Sequence, residues 1–319
     1  MNKLILKLSV CSLLAVTQSV AAHVEESGET QVIEQTAEFV TPNVAFSAVM
    51  KLPFDSADKK ISYGEDALQY GLLWRGKGPE KGPENNPKKN RDKAETDNKP
   101  LLMLIHGGCW LNAFGVDHGQ PMSSALAQAG FDVWAVEYRR TGDEGGGWPG
   151  SFDDIKASLA YVKNLPEGVN KEEVVLIGHS AGGHLALLMQ QEHSEDDQPK
   201  IVQTIGLAAI TDMVSYAQGS NSCQTAGPKF MGGMPKDLPD AYQAADPKQH
   251  EPYANTLLLQ GQADVIVPEQ QAKLAGAVTI KLASAGHFDW IHPQSKAFAA
   301  LLAQLKQYKS KETVDNTTK

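Results

Sequence analysis

Val174-Val175-Leu176-Ile177-Gly178-His179-Ser180-Ala181-Gly182-Gly183-His184 passes from a block of branched apolar residues, through a glycine-framed serine, into a helical pattern. Four consecutive Val, Leu and Ile residues closed by a glycine read as a short strand buried on both faces. Ala181 to Gln191 reads as a helix, with Leu185 and Leu188 on its inner side. A strand that turns into a helix this abruptly must crowd its own backbone. Glycine at 178 and 182 removes the Cβ atoms that would collide. The serine between them is then held in a sharp turn with its hydroxyl clear of both elements.

The same rhythm extends outward. Apolar runs at Leu101–Ile105, Asp132–Tyr138, Ile201–Leu207, Thr256–Leu259 and Val278–Leu282 are predicted as further strands. Between them lie helical patterns. Ser151 with Asp154 three residues on is a capping signal, and Ile155, Leu159 and Val162 follow on one helical face. Pro293 opens a last helix carrying Phe298, Leu301, Leu302 and Leu305. Strands that alternate with helices predict an α/β fold, a mostly parallel central sheet with helices on both faces. The first strands of the sheet are placed near Val44. Residues 75–99, with eight basic and five acidic side chains, read as a solvated loop insertion. Residues 211–255, rich in Gly and Pro, break the alternation as a lid-like excursion, and 309–319 form a polar tail.

Composition narrows the classes. The chain has 319 residues, 41% of them hydrophobic and 21% charged, which excludes wholesale disorder. A net charge of −9 argues against a nucleic-acid binder, which would show a basic face. Lys3 and Lys7, the apolar run Leu8–Val16 and the small residues Val20-Ala21-Ala22 have the layout of a secretory signal peptide cleaved near Ala22. The expectation is a periplasmic or secreted protein with no stable membrane span after cleavage, and a single domain over 23–308. Three cysteines do not make a disulfide scaffold. Cys109 and Cys223 remain after cleavage, and whether they pair is left open by their sequence separation.

A serine hydroxyl needs a base, and the base an orienting acid. Ser180 is the candidate nucleophile. Of nine histidines, His287 in Ala285-Gly286-His287-Phe288-Asp289 lies just beyond the 278–282 run and is the candidate base, with His292 as runner-up. His179 and His184 flank the elbow, neither placed to approach the serine from across the site; His118 and His193 lie in polar contexts and are expected to be solvated. Asp264 in Gly261-Gln262-Ala263-Asp264-Val265-Ile266-Val267-Pro268 is the candidate acid, with Asp212 and Asp289 as fallbacks. His106-Gly107-Gly108-Cys109-Trp110 follows a strand, so the N–H groups of Gly107 and Gly108, with that of Ala181, are candidates for an oxyanion hole. Trp110 and Trp148 are candidates for lining a substrate pocket. No metal-ligand spacing and no phosphate loop appear, so neither a metal nor a cofactor is expected.

Taken together, His-Gly-Gly-x-Trp at 106–110, Gly-His-Ser-Ala-Gly-Gly-His at 178–184, Gly-Gln-Ala-Asp-x-x-Val-Pro at 261–268 and Gly-His-Phe-Asp at 286–289 resemble the esterase/arylformamidase branch of the α/β-hydrolases. That branch includes kynurenine formamidase-like enzymes and feruloyl-esterase-like carboxylesterases. Glu137-Tyr138-Arg139-Arg140 and Gly147-Trp148-Pro149-Gly150 share the resemblance, which runs from about Leu101 to Leu305. Cys109 fills the variable position of the first motif, and the 75–99 insertion and the leader depart from a compact intracellular member. The resemblance implies the α/β-hydrolase fold and a serine hydrolase acting on a small-molecule ester through an acyl-enzyme. Two alternatives stand beside it: an arylformamidase acting on an amide such as N-formylkynurenine, and a non-catalytic binding protein on the same fold. A prolyl-oligopeptidase-type aminopeptidase would need an extra N-terminal domain for which the chain has no room. Acyl and leaving-group preference and oligomeric state are not legible.

Overall fold

The computed structural model describes residues 19–26, 29–36, 38–77, 99–194 and 199–308. The chain divides into two compact units, Met1–Phe39 and Val40–Lys319. In the first, strands β1 (Ser19–Glu26) and β2 (Glu29–Thr36) pair antiparallel, with Ser19 opposite Thr36. The last four residues of the expected leader, 19–22, fall in β1. The rest of the leader, the 309–319 tail and residues 78–98 of the expected loop lie outside the described residues.

The second unit is built on an eight-stranded sheet in the order β10-β9-β8-β7-β5-β6-β4-β3. Its strands are β3 (Lys59–Ser62), β4 (Tyr70–Trp74), β5 (Leu101–Ile105), β6 (Val133–Val136), β7 (Glu173–His179), β8 (Lys200–Leu207), β9 (Thr256–Gly261) and β10 (Val278–Leu282). From β5 to β10 every pairing is parallel, while β4 runs antiparallel to both β6 and β3. Alternation along β5 divides the core. Leu101, Met103 and Ile105 enter one apolar cluster, and Leu102 and Leu104 enter another on the opposite face. Helices α1 (Gln120–Gln128) and α5 (Lys296–Leu305) cover the second face with Met122, Leu126, Phe298 and Leu301. Helices α2 (Gly150–Ala160) and α3 (Ala181–Glu192) cover the first with Ile155, Leu159, Leu185 and Leu188. This is the mostly parallel sheet with helices on both faces that the alternation predicts. Each buried Leu, Ile or Val here contributes roughly 1.5–3 kcal/mol of transfer free energy.

Three local expectations are corrected. The sheet does not begin near Val44, which precedes a one-turn helix at Phe46–Val49; its first strand starts at Lys59. Ser151 and Asp154 do not form a capping box. The residue before α2 is Pro149, which makes no side-chain cap. Ser151 Oγ instead donates to Arg139 O at 2.6 Å, and Asp154 receives the Arg139 guanidinium at 2.6 and 2.9 Å. The last helix starts after Ser295, whose Oγ accepts the Phe298 N–H at 2.9 Å, and not at Pro293.

The 211–255 excursion is largely packed. It contains the short helices Met213–Tyr216 and Pro239–Ala245 and, between them, α4 (Ser222–Met231), capped by a reciprocal pair of bonds between Asn221 and Gln224. Met213, Tyr216, Cys223, Phe230 and Tyr242 are buried in the same cluster as α2 and α3. Among the described residues no helix is long and apolar enough to cross a membrane.

Candidate active site

The elbow is as sharp as its sequence demands. β7 ends at His179, α3 begins at Ala181, and Ser180 between them sits at φ 55° and ψ −119°. A non-glycine residue in that region costs about 1–3 kcal/mol and persists only where its surroundings fix it. Here Ser180 N–H donates to Leu207 O at 2.8 Å, tying the turn to the end of β8. A Cβ on Gly178 would collide with Gly182 O, and one on Gly182 would collide with the carbonyls of Ile105 and His106. The two glycines are therefore required by close backbone approach.

The candidate base and acid meet. His287 Nδ1 donates to Asp264 Oδ2 at 2.7 Å, with both side chains buried. The other carboxylate oxygen accepts the N–H groups of Ile266 and Val267 at 2.8 and 2.9 Å. The acid is thus fixed at both oxygens, and the bond to Nδ1 leaves His287 Nε2 as the free ring nitrogen. Among the hydrogen bonds of the described residues none joins Ser180 Oγ to His287, a contact that in unliganded hydrolases often forms only with substrate.

The glycine loop lies against the elbow. A Cβ on Gly107 would come 3.0 Å from Ser180 Cβ. Among the described residues the N–H groups of Gly107, Gly108 and Ala181 donate to no protein acceptor. The loop is contorted: Gly108, Cys109 and Trp110 have φ of 110°, 54° and 57°. Contacts hold it there. Cys109 is bonded to Cys223 on the first turn of α4, with Cα atoms 5.0 Å apart, which settles the pairing that sequence left open. Trp110 stacks on Phe230 of α4 at 5.0 Å and meets His184 edge-on. The excursion also grips the acid turn, where Asn221 Nδ2 donates to Ile266 O at 2.9 Å and Tyr216 Oη to the same oxygen at 3.1 Å. Trp148 N–H donates to Phe230 O at 2.8 Å.

Other residues take parts that sequence reasoning did not assign. Asp289, a fallback acid, accepts the N–H groups of Asn43, Val44 and Gly286 at 3.1, 2.9 and 3.0 Å. Asp212, the other fallback, caps the Met213–Tyr216 helix through the Ser215 N–H and pairs with Lys248. His292 accepts the Gln294 N–H on Nδ1 at 3.3 Å and is not among the partners of the Asp264 carboxylate. His106 Nε2 donates to Glu137 Oε1 at 2.8 Å, while Glu137 Oε2 accepts the Val116 N–H. Burial works to raise the Glu137 carboxyl, but His106, the Val116 N–H and Arg140 outweigh it and hold it below the ordinary range.

Two placements are corrected. His118 is 4% exposed, wedged edge-on between Phe46 and His106, and burial pushes its imidazole down to about 3. Trp110 is wholly buried and belongs to the core beneath the site, whereas Trp148 is half-buried. No group of three or more metal-ligating side chains occurs among the described residues.

The BD-FAE family profile matches residues 90–277. Over 239 residues the chain is 22% identical to Esterase LipC of Mycobacterium tuberculosis, covering 67% of this chain and 53% of that protein. Over 134 residues it is 32% identical to the Probable carboxylic ester hydrolase LipM of the same organism, covering 41% of this chain and 27% of that protein. The chain thus spans about half of LipC and about a quarter of LipM. Among solved structures, Esterase B from Lactobacillus Rhamnosis superposes with a TM-score of 0.62 at 17% identity, over 82% of this chain and 89% of that one. A truncated carbohydrate esterase from gut microbiota gives 0.59 at 18% identity, over 80% and 97%. These likenesses and the sheet order identify the α/β-hydrolase fold.

Proposed function

The chain belongs to the BD-FAE family, and from that premise we propose that it is a serine hydrolase cleaving small carboxylic esters. The observation that carries this reading is the 2.7 Å bond from His287 Nδ1 to a fully held Asp264, beside a serine locked in a left-handed turn. In the proposed reaction His287 Nε2 takes the Ser180 proton as Oγ attacks the carbonyl carbon. Asp264 keeps the ring oriented and stabilises the imidazolium. The N–H groups of Gly107, Gly108 and Ala181 receive the oxyanion. His287 returns the proton to the leaving alcohol, and water then cleaves the acyl-serine by the same route in reverse. LipC and LipM, named as esterase and carboxylic ester hydrolase, lend the ester class support.

The test is turnover of a short p-nitrophenyl ester by the full chain, with Ser180→Ala beside it. Activity that vanishes in the variant sustains the reading; equal activity in both overturns it. The motif resemblance also favours a second reading, hydrolysis of an arylformamide. Rates on N-formylkynurenine and on aryl esters, measured side by side, decide between them. Export is proposed as well: the layout of residues 1–22 supports it, as does the Cys109–Cys223 bridge, which suits an oxidising compartment. Cell fractionation and an N-terminus at His23 would establish it.

A further inference from the structure

The geometry points to His179 as the residue that sets the distance between the oxyanion loop and the base loop on either side of Ser180, a positioning role that rests on the serine-hydrolase reading.

His179 immediately precedes Ser180, and its ring reaches both loops. On one side its Nε2 lies 3.0 Å from the backbone oxygen of His287, and the two rings are 4.6 Å apart. On the other side Gly107 closes against it: a Cβ on Gly107 would come 3.0 Å from His179 Nδ1 and 2.8 Å from His179 O. One side chain therefore bonds the backbone of the residue that would remove the proton and faces the residue that would receive the oxyanion so closely that no Cβ would fit between them. His179 also borders a small apolar cavity whose wall includes Val116, Met122, Ile177 and Leu207.

The chemistry of the contact specifies its form. A carbonyl oxygen only accepts, so Nε2 carries the hydrogen and the neutral ring leaves a lone pair on Nδ1. Nδ1 is buried and has no partner among the described residues. Burial holds the imidazole well below its ordinary pKa, assisted by the neighbouring His287, His118 and His106. Neutrality suits the role. A cation at 4.6 Å from the His287 ring would oppose the imidazolium that the proposed reaction builds there. The Nε2 hydrogen is committed to His287 O, and the Nδ1 lone pair faces Gly107.

The test compares two amides at position 179. His179→Gln places an N–H donor as many bonds from Cα as Nε2 is. His179→Asn places it where Nδ1 is, short of the His287 carbonyl. The full chain, His179→Gln, His179→Asn and Ser180→Ala are assayed for kcat and KM on a short p-nitrophenyl ester, with melting temperatures recorded. The expected result is a kcat about 100-fold lower in His179→Asn with KM little changed, the scale of a small misplacement of reacting groups. His179→Gln recovers most of that loss, and both variants melt at similar temperatures. Equal kcat in the two variants overturns the inference. So does a shared collapse of folding, which would make His179 a core residue only. If the parent is no more active than Ser180→Ala, the hydrolase reading itself has failed, an outcome distinct from either.

Discussion

Asp289 accepts the backbone N–H of Val44 at 2.9 Å, so a carboxylate two residues past His287 holds a segment 245 positions upstream. Asn43 and Gly286 N–H groups converge on the same carboxylate. The loop bearing His287 is thereby anchored to the start of the second unit. Replacing Asp289 by Ala leaves these donors unpaired, at a cost of about 1–3 kcal/mol for each buried one. The expected outcome is a clear fall in the urea midpoint and in kcat together. Unchanged stability would show that water replaces the carboxylate.

Cys109 and Cys223 close a loop of 114 positions. Removing the bridge by Cys109→Ala with Cys223→Ala is expected to lower stability by about 2–4 kcal/mol. Because Cys109 and Trp110 hold positive φ values, kcat should fall as well, as the Gly107–Gly108 donors lose their fixed direction. Reduction with a thiol, followed by activity and melting measurements, checks both effects.

Asp264→Asn keeps an oxygen for the Ile266 and Val267 N–H groups but offers an NH2 to His287 Nδ1. That favours the wrong tautomer, with hydrogen on Nε2. In Ser-His-Asp sites such a swap costs roughly 10⁴-fold in kcat with the fold intact. A loss of less than tenfold would argue that Asp264 orients nothing.

Acid should destabilise the fold before the carboxylates are protonated. Burial lowers His118 to about 3, His184 to about 4 and His179 well below 6.5, whereas in the unfolded chain these rings titrate near 6.5. Between these limits the unfolded chain binds more protons. Stability is therefore full above about pH 6.5 and falls toward pH 4, by up to about 1.4 kcal/mol per pH unit for each ring. Urea midpoints at pH 7.5, 6 and 5 should decline in that order. A flat series would mean that the rings accept protons without unfolding.

Trp110 and Trp148 should separate. Trp110→Ala empties a fully buried site and is expected to cost about 3–5 kcal/mol. Trp148 is half-buried, so Trp148→Ala is expected to change KM more than stability.

The parts of this molecule that the sequence makes legible are those whose cause is local. Strand β5 and the Val174–Ile177 stretch of β7 are unbroken apolar runs, and Ser180 is framed by glycines that a turn of that sharpness requires. The order Ser180, Asp264, His287 follows from motifs at the ends of such strands. β3 and β4 escape this reading. Lys59-Lys60-Ile61-Ser62 is an edge strand with three exposed positions, so it shows no apolar alternation. His118 sits between Asp117 and Gly119 and looks solvated, yet its ring packs against Phe46 and His106, both outside its own turn. Ser151 and Asp154 match a cap pattern, but Arg139 captures both. The disulfide, the Asp289 anchor and the His179 contact all depend on distances between remote segments, which no local pattern encodes.

The 211–255 segment touches the Gly107–Trp110 loop through Cys223, the turn after Asp264 through Asn221 and Tyr216, Trp148 through Phe230, and His184 through Ala245. It is therefore not an interchangeable cassette. A chimera that imported the corresponding piece of a relative would have to import matching residues at 109, 148, 184 and 265–266 too, or lose the alignment of three loops at once. On this scaffold point substitution leaves those joints in place, and segment exchange breaks them.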